Sequence, residues 1–302
     1  MQGILVALWP LFVLILMGYG MRRLDFPGQG FWPGAERFNY FVLFPALLFT
    51  SLASAPLSNP ALPRLLGAVL LVLSLCVAGL YAARLWRKWP ASRFGVLLQG
   101  LLRFNTYLGI AAVSSLYGKE GMLIATVVIA LLVPMVNVLS VLALSNPADR
   151  TLASLLKPIA TNPLIVSCVA GVVLNLSGVE LKWGVDRLLT LLANTSLPLG
   201  LLSVGAALRI DELRGHLGAM LGNSLVRLLL VPLVAWLCAR ALTLPAGETA
   251  VLVLFFALPT APTAYVLTRQ LGGDSHLMAG IITLQTMLSA VTLLVVVAAV
   301  GM

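Results

Sequence analysis

The sequence predicts an all-α polytopic membrane protein whose ten transmembrane helices form a 5+5 inverted repeat, with helices four and nine broken. Three observations predict this class. Of the 302 residues, 60% are hydrophobic and 10% are charged, and the mean hydropathy is +1.04. Apolar runs of about 20 residues follow one another along the chain. Helix-breaking residues recur at a nearly constant offset between its two halves.

The composition excludes a soluble globular domain, because too little polar surface remains to cover one. About 20 apolar residues in helical form cross the roughly 30 Å hydrocarbon core of a bilayer. The runs are apolar at consecutive positions, and this excludes the alternating pattern of a transmembrane β-barrel. The membrane segments are therefore predicted to be helices.

Charged residues, prolines and glycines separate the apolar runs and divide the chain into ten predicted spans. The first five cover about residues 3–21, 34–54, 65–83, 94–117 and 121–144. The second five cover about residues 162–178, 186–208, 216–239, 248–270 and 276–300.

An offset of 153 or 154 residues relates breaker and polar residues of the two halves. The matched pairs are Pro10 and Pro163, Gly18 and Gly171, Pro45 and Pro198, and Thr106 and Thr260. Since each half holds five spans, an odd number, the second copy must enter the membrane upside down. The predicted repeats are residues 1–145 and 162–302, joined by a connecting loop at 146–161.

Basic residues at the span ends predict the orientation. With the N-terminus outside, twelve loop lysines and arginines fall on the cytoplasmic side and five on the outer side. The positive-inside rule then predicts a multi-pass protein of the bacterial plasma (inner) membrane, with both termini extracytoplasmic and the 146–161 loop cytoplasmic. The net charge of +9 needs no nucleic-acid partner, because the basic residues stand singly at membrane edges.

Two spans contain signs of unwound backbone, which a membrane tolerates only where protein or a water-filled cavity satisfies the freed polar groups. In span nine, Pro259 and Pro262 remove two backbone donors beside Thr260 and Thr263. The repeat mate in span four is residues 103–109, which contain no proline. The alternative is that the prolines only kink a packed helix.

Arg103 lies near the middle of span four, where a guanidinium costs about 2.5–3.5 kcal/mol to insert. Acidic residues are expected only at span ends or in loops, as for Glu36, Glu120 and Glu248. An intramembrane cation without a carboxylate favours an anionic ligand, which arginine holds with two parallel hydrogen bonds. Arg103 is therefore expected to contact substrate, with donation to carbonyls of the ninth span as the alternative.

The candidate substrate-binding residues are Arg103, Asn105, Thr106, Pro259, Thr260, Pro262 and Thr263. A surrounding set comprises Asn39, Pro45, Pro198 and Arg227. Arg227 lies outside the broken spans and is expected to tie the bundle, and Asn39 to bond between helices. Pro45 and Pro198 are expected to break spans two and seven symmetrically, where they either line the cavity or only curve the helices.

Catalysis finds no support in the sequence. His216 and His276 fall at span ends, apart from any membrane-buried nucleophile or carboxylate, and no HExxH motif occurs. No glycine-rich phosphate loop is present, so energy for transport would come from gradients. The prediction is a protein that is not an enzyme and has no catalytic residue, metal site or cofactor.

Six segments resemble the auxin efflux carrier family of membrane transport proteins, in its bacterial branch. They are PLFVLILMGYGMRR at 10–23, FPALLFTSL at 44–52, RFNTYLG at 103–109, NPLI at 162–165, LPLGLLSVGA at 197–206 and the stretch 259–274. The resemblance runs along nearly the whole chain. One departure is Gly109-Ile110-Ala111, where many members follow the span-four glycine with Leu-Pro.

The resemblance implies ten helices in an inverted repeat, with spans four and nine unwound and crossing. It also implies carriage of small organic anions by alternating access: auxin in plants, and dicarboxylates such as malate or malonate in some bacterial members. By position, Asn105, Thr106, Pro259 and Thr260 would line the crossover. The expected partners are a small organic anion and membrane lipid, with a homodimer and with proton or sodium coupling left open. The alternatives are a carrier like the bile-acid sodium symporters and a membrane sensor or scaffold that transports nothing.

Overall fold

The computed structural model describes residues 2–28, 30–54, 61–144, 160–179, 181 and 183–300. All regular structure in these residues is helical. The first six helices are α1 (Gln2–Arg23), α2 (Phe31–Phe38), α3 (Phe44–Ala53), α4 (Leu62–Arg87), α5 (Ala91–Leu102) and α6 (Thr106–Leu144). The remaining seven are α7 (Pro163–Ser177), α8 (Val185–Ala206), α9 (Leu217–Leu225), α10 (Val231–Ala241), α11 (Ala246–Ala257), α12 (Thr263–Gln270) and α13 (Ser275–Ala299).

Six stretches of helix in the described residues are long and apolar enough to cross a membrane. They are Gln2–Arg23, Leu62–Arg87, Ala91–Leu144, Val185–Ala206, Leu217–Ala241 and Ser275–Ala299. Shorter apolar helices lie at Pro163–Ser177 and Ala246–Ala257. This all-helical, apolar architecture is that of a multi-pass membrane protein. The division into ten spans stays a prediction.

Both helices that were expected to be broken are interrupted at the expected residues. Helix α5 ends at Leu102 and α6 begins at Thr106, while α11 ends at Ala257 and α12 begins at Thr263. Leu258 is extended, with φ −68° and ψ 147°, because a residue before a proline is disfavoured in helical conformation. The first break has no proline. There the Asn105 side chain accepts a hydrogen bond from the Leu108 N–H at 3.1 Å and starts α6 as its cap.

The two breaks touch each other. The backbone N–H of Asn105 donates to the carbonyl of Pro259 at 2.8 Å. Each unwound segment therefore satisfies part of the other's freed backbone, as a crossover within a membrane requires. The expected approach of the two unwound stretches is confirmed.

A single glycine separates the predicted fourth and fifth spans. Helix α6 continues from Thr106 to Leu144, but Gly118 inside it has φ 59° and ψ −143°. Only glycine adopts positive φ without steric cost, so the chain can turn there within one residue.

The expected symmetric break at Pro45 and Pro198 is wrong. A π-helical turn at Asn39–Leu43 does precede Pro45, and its wider ladder accommodates a residue that lacks an N–H. Pro198, however, lies inside the continuous helix α8. The second π-turn is at Val226–Leu230, two residues before Pro232. A proline inside a membrane helix removes one hydrogen bond, which neighbouring groups can compensate without a break.

Helices α1 and α8 cross with their backbones in close contact. A Cβ atom added to Gly18 would collide with the Leu202 carbonyl, and one added to Gly205 would collide with the Ile15 carbonyl. Small residues allow such close approach in membrane bundles, where packing replaces the hydrophobic effect as the driving force.

Gly18→Ala should therefore lower the thermal stability of the purified protein, since forced overpacking costs about 1–3 kcal/mol. Gly20→Ala is the matched control, because a Cβ added at Gly20 meets nothing within 4 Å. Apparent melting temperatures in detergent measure both. Equal melting temperatures for the two variants would show that the helices separate easily at this crossing.

Candidate functional site

The carboxyl ends of the broken helices leave carbonyl groups that need partners. Arg227 is completely buried and provides them. Its guanidinium donates to the carbonyl of Leu101 at 2.7 Å, of Leu258 at 2.8 Å and of Phe255 at 3.2 Å. A positive charge thus stands at the negative dipole ends of both α5 and α11. Arg227 ties the bundle, as its place outside the broken helices led us to expect.

A buried polar network lies on the other side of the crossover. Gln285 Nε2 donates to the Gly100 carbonyl and to Asn223 Oδ1, both at 3.0 Å. Gln285 Oε1 accepts the Thr260 N–H at 2.8 Å. The Thr260 hydroxyl lies 2.7 Å from the Gly100 carbonyl and 2.8 Å from Gln285 Oε1, and donates to one of them at a time. Asn223 completes the network by donating to the Leu97 carbonyl at 2.9 Å.

This network encloses Thr260 within the protein. Thr260 has no exposed surface, and its polar atoms are committed to protein partners. Pro259 is also buried, and its carbonyl accepts the Asn105 N–H. Both candidates hold the two breaks together, while the remaining candidates lie elsewhere around them.

A cavity of about 70 Å³ adjoins the two breaks. Arg103, Asn105 and Thr106 line it from the first break, and Pro262 and Thr263 line it from the second. Five of the seven candidate substrate-binding residues are therefore brought together, although the two segments are more than 150 residues apart in sequence. We refer to this space as the inner cavity.

Arg103 is partly buried, and its side chain makes two long hydrogen bonds to described residues. Its guanidinium lies 3.4 Å from Gln99 Oε1 and 3.4 Å from the Thr263 hydroxyl. Gln99 is held in turn by its 2.8 Å donation to the Thr268 hydroxyl. Among the residues that the structure describes, no carboxylate lies within 4.0 Å of the Arg103 guanidinium. Arg103 therefore retains donor capacity for a ligand.

Asn105 presents an unused donor. The side chain is 1% exposed, and its Oδ1 caps α6. Its Nδ2 has no hydrogen-bond partner in the described part of the chain. Such a buried orphan costs about 1–3 kcal/mol and is uncommon in native structures unless a water or ligand meets it.

Two helices also begin at the inner cavity. Thr106 is the first residue of α6 and Thr263 the first of α12, and both line the cavity. Helix N-termini present unpaired N–H groups and a partial positive charge, which favour anions. An arginine, an orphan amide and two helix N-termini therefore converge on one small space.

A larger vestibule of about 760 Å³ adjoins the inner cavity. The two share Glu36 and Pro262 in their walls. The vestibule is lined by four arginines and three carboxylates, namely Arg22, Arg23, Arg209, Arg269, Glu36, Asp211 and Glu212. Its size suits a small solute, whereas the inner cavity is well below the usual range of about 300–1,000 Å³. A ligand can enter the vestibule as it stands, but the inner cavity must widen to hold it.

Residues 3–297 match the family described as Membrane transport protein. The chain belongs to this family. Its members are membrane transporters rather than enzymes, and the resemblance to the auxin efflux carrier family is thereby confirmed. This family member is also 28% identical over 286 residues to a protein of Methanothermobacter thermautotrophicus described as an uncharacterized transporter. That match covers 93% of each chain.

In this member of the family, Asn39 of the surrounding set joins two helical segments. Asn39 is completely buried and donates to the Ser196 carbonyl at 3.0 Å, while its Oδ1 accepts the Ser196 hydroxyl at 2.8 Å. It thereby joins the π-turn before α3 to α8, as an interhelical bond should. Neither Pro45 nor Pro198 lines the inner cavity.

Two residues were not expected from the sequence. Gln285 organises the crossover together with Asn223, and its only signal was a polar side chain within an apolar span. Asn223 was expected to bond between helices, and it does so. Glu36 lies in α2 and lines both cavities. The expectation that no carboxylate accompanies Arg103 in the membrane domain is therefore corrected. Tertiary packing places the start of the second span beside the same cavity as the broken fourth one.

Arg227→Gln should destabilise the protein by about 3 kcal/mol or more, because three buried carbonyls lose a charged donor. The matched control is Arg187→Gln, since Arg187 is exposed at the start of α8. Thermal unfolding in detergent compares the two variants with the parent. A melting temperature of Arg227→Gln equal to that of the control would show that the tie contributes nothing.

Proposed function

We propose that the chain is a secondary transporter of small organic anions, such as malate, malonate or other carboxylates, and that it works by alternating access. The inner cavity carries this proposal. Four donors or partial positive charges meet there: the Arg103 guanidinium, the Asn105 amide and the N-termini of α6 and α12. A carboxylate is the group that this set matches, because it accepts up to four hydrogen bonds and carries the opposite charge.

Individual roles follow from the contacts. Arg103 holds the substrate carboxylate, Asn105 Nδ2 donates to it, and the hydroxyls of Thr106 and Thr263 complete its hydrogen bonds. Pro259 and Thr260 shape the crossover without touching the ligand, since their polar groups are committed to protein.

The architecture that we propose has ten spans in two inverted repeats, residues 1–145 and 162–302. Support comes from the two breaks and from the repeat-related pair Gly18 and Gly171, since a Cβ atom at either would crowd a backbone carbonyl of a neighbouring helix. The connecting loop at 146–161 lies almost wholly outside the described residues. We also propose a bacterial inner membrane location with both termini extracytoplasmic.

In this orientation the vestibule opens to the cytoplasm, because its arginines belong to the basic edge of the protein. Its excess of positive charge concentrates anions at the mouth. The Phe104 and Phe255 rings pack edge to face with centroids 5.5 Å apart, and Phe104 lines the inner cavity. In the proposed cycle this is an inward-open state whose inner cavity is contracted, and transport requires the two sides of the protein to open alternately.

Arg103→Ala should abolish anion counterflow, because the guanidinium that compensates the substrate charge is gone. Arg103→Lys should keep the charge but lose about tenfold in affinity, since a single ammonium cannot form two parallel bonds to a carboxylate. Counterflow of labelled malonate and malate in proteoliposomes measures both, with Arg187→Gln as the control. If Arg103→Ala transports anions like the parent, the arginine is structural. A parent without saturable flux for any carboxylate would favour the sensor or scaffold reading.

Asn105→Asp separates the two tasks of this side chain. Aspartate keeps the oxygen that caps α6 but replaces the Nδ2 donor with negative charge. Stability should therefore stay near that of the parent, while affinity for the anion falls by about tenfold or more. Parallel thermal unfolding and counterflow assays test this, and unchanged affinity would remove Asn105 from the binding site.

The orientation can be tested independently of the substrate. A reporter inserted within residues 146–151 should be cytoplasmic, and one fused after Met302 should be extracytoplasmic, because basic loop residues lie mostly on one side. A cytoplasmic reporter at Met302 would contradict both the orientation and the inverted repeat.

A further inference from the structure

Glu36 is the acidic residue that shares the inner cavity with Arg103. It lies in α2, less than one turn before the π-turn at Asn39–Leu43, and forms part of the wall of both the inner cavity and the vestibule. Within the described residues its carboxylate forms no ion pair. A carboxyl group within a membrane domain is rare, and where it occurs it usually belongs to a proton or ion pathway.

The charges around Glu36 form two groups. In the inner cavity the other titratable groups are Arg103, Tyr40 and Tyr107. In the vestibule, Arg23 is paired with Asp211 at 3.5 Å, and Glu212 with His276 at 3.0 Å. The remaining titratable groups of the vestibule wall are Arg22, Arg209, Tyr265 and Arg269, and Arg209 stacks on the Tyr265 ring at 4.8 Å. The two other vestibule carboxylates thus have cationic or titratable partners, while Glu36 has none in contact.

A substrate carboxylate and an ionised Glu36 would repel each other in the inner cavity. Both anions would face one small cavity, where a low dielectric constant strengthens their repulsion. A proton on Glu36 removes this repulsion. Because Glu36 also borders the vestibule, a proton from water that fills the vestibule can reach the Glu36 carboxylate without crossing the protein.

We propose that Glu36 is a proton-binding site of the carrier, so that an organic anion and a proton occupy the inner cavity together and cross the membrane together. This inference rests on the proposed transport of organic anions and adds a proton gradient as the driving force for that transport. The proton binds a carboxylate oxygen of Glu36 on one side and leaves to water on the other. No redox partner or covalent intermediate takes part. Each ligand favours the other's binding, since thermodynamic coupling between two sites is reciprocal.

The test uses the purified full-length chain in proteoliposomes, with labelled malonate and malate as probes. An inwardly directed proton gradient should drive the parent to accumulate label above equilibrium. Glu36→Gln keeps the shape of the side chain but cannot titrate. It should still exchange label in counterflow, with a rate that no longer depends on pH, and should lose accumulation completely. Glu36→Asp should restore gradient-driven accumulation, because it restores a titrating group.

Glu120→Gln is the control, since Glu120 is exposed on α6 and lines neither cavity. Gradient-driven accumulation by Glu36→Gln at the level of the parent overturns the proposal, as does a parent that performs counterflow without responding to the gradient. If Glu36→Gln is folded but loses both counterflow and accumulation, and Glu36→Asp does not restore them, the native glutamate is needed for transport itself and the coupling is overturned. A parent with no flux for any probe overturns the proposed transport, and the coupling with it.

Discussion

The requirement that unwound backbone be satisfied inside a membrane organises the centre of this protein. Two helices stop in the middle of the bundle and expose carbonyl groups at their carboxyl ends. Arg227 donates to carbonyls of both, and the breaks bond to each other between Asn105 and Pro259. Without these partners, each buried carbonyl would cost far more than a surface hydrogen bond, because no water replaces it. The crossover exists because its polar groups pair with one another.

This constraint divides the polar residues into two groups. Arg227, Thr260, Gln285 and Asn223 are buried and hydrogen-bonded to protein groups, so they belong to the scaffold. Arg103 and Asn105 adjoin the same crossover, yet each retains donor capacity toward a cavity. Arg103 and Arg227 both lie within apolar predicted spans, yet they therefore have different roles. The difference is the number of carbonyls within reach of each guanidinium.

The surroundings of the inner cavity fit a carrier that must release what it binds. The proposed binding groups come from two separate breaks, so a small relative movement of the helices would separate them. The vestibule beside them carries four arginines and three carboxylates. A crossover held by hydrogen bonds beside these cavities is compatible with the proposed alternating access.

The sequence by itself determined where the helices stop. Pro259 and Pro262 remove donors whatever their surroundings, Asn105 supplies a local cap, and the polar segment 103–106 stands out within an apolar run. The family could also be recognised from short motifs along the chain, and that resemblance is confirmed. Prolines, caps and short motifs act on residues that are adjacent in sequence, and therefore their effects can be inferred from the sequence.

Only the tertiary structure decided what each polar side chain touches. Pro45 follows a π-turn, while Pro198, 153 positions later, lies in an unbroken helix. Thr260 is sealed in the crossover, and Glu36 joins the cavity of Arg103, through contacts between segments far apart in the chain. The rotation of each helix and the atoms opposite it set such contacts. No local sequence pattern specifies these contacts. Shifting a helix by one residue rotates its side chains by about 100°, which would turn a cavity-lining residue toward lipid.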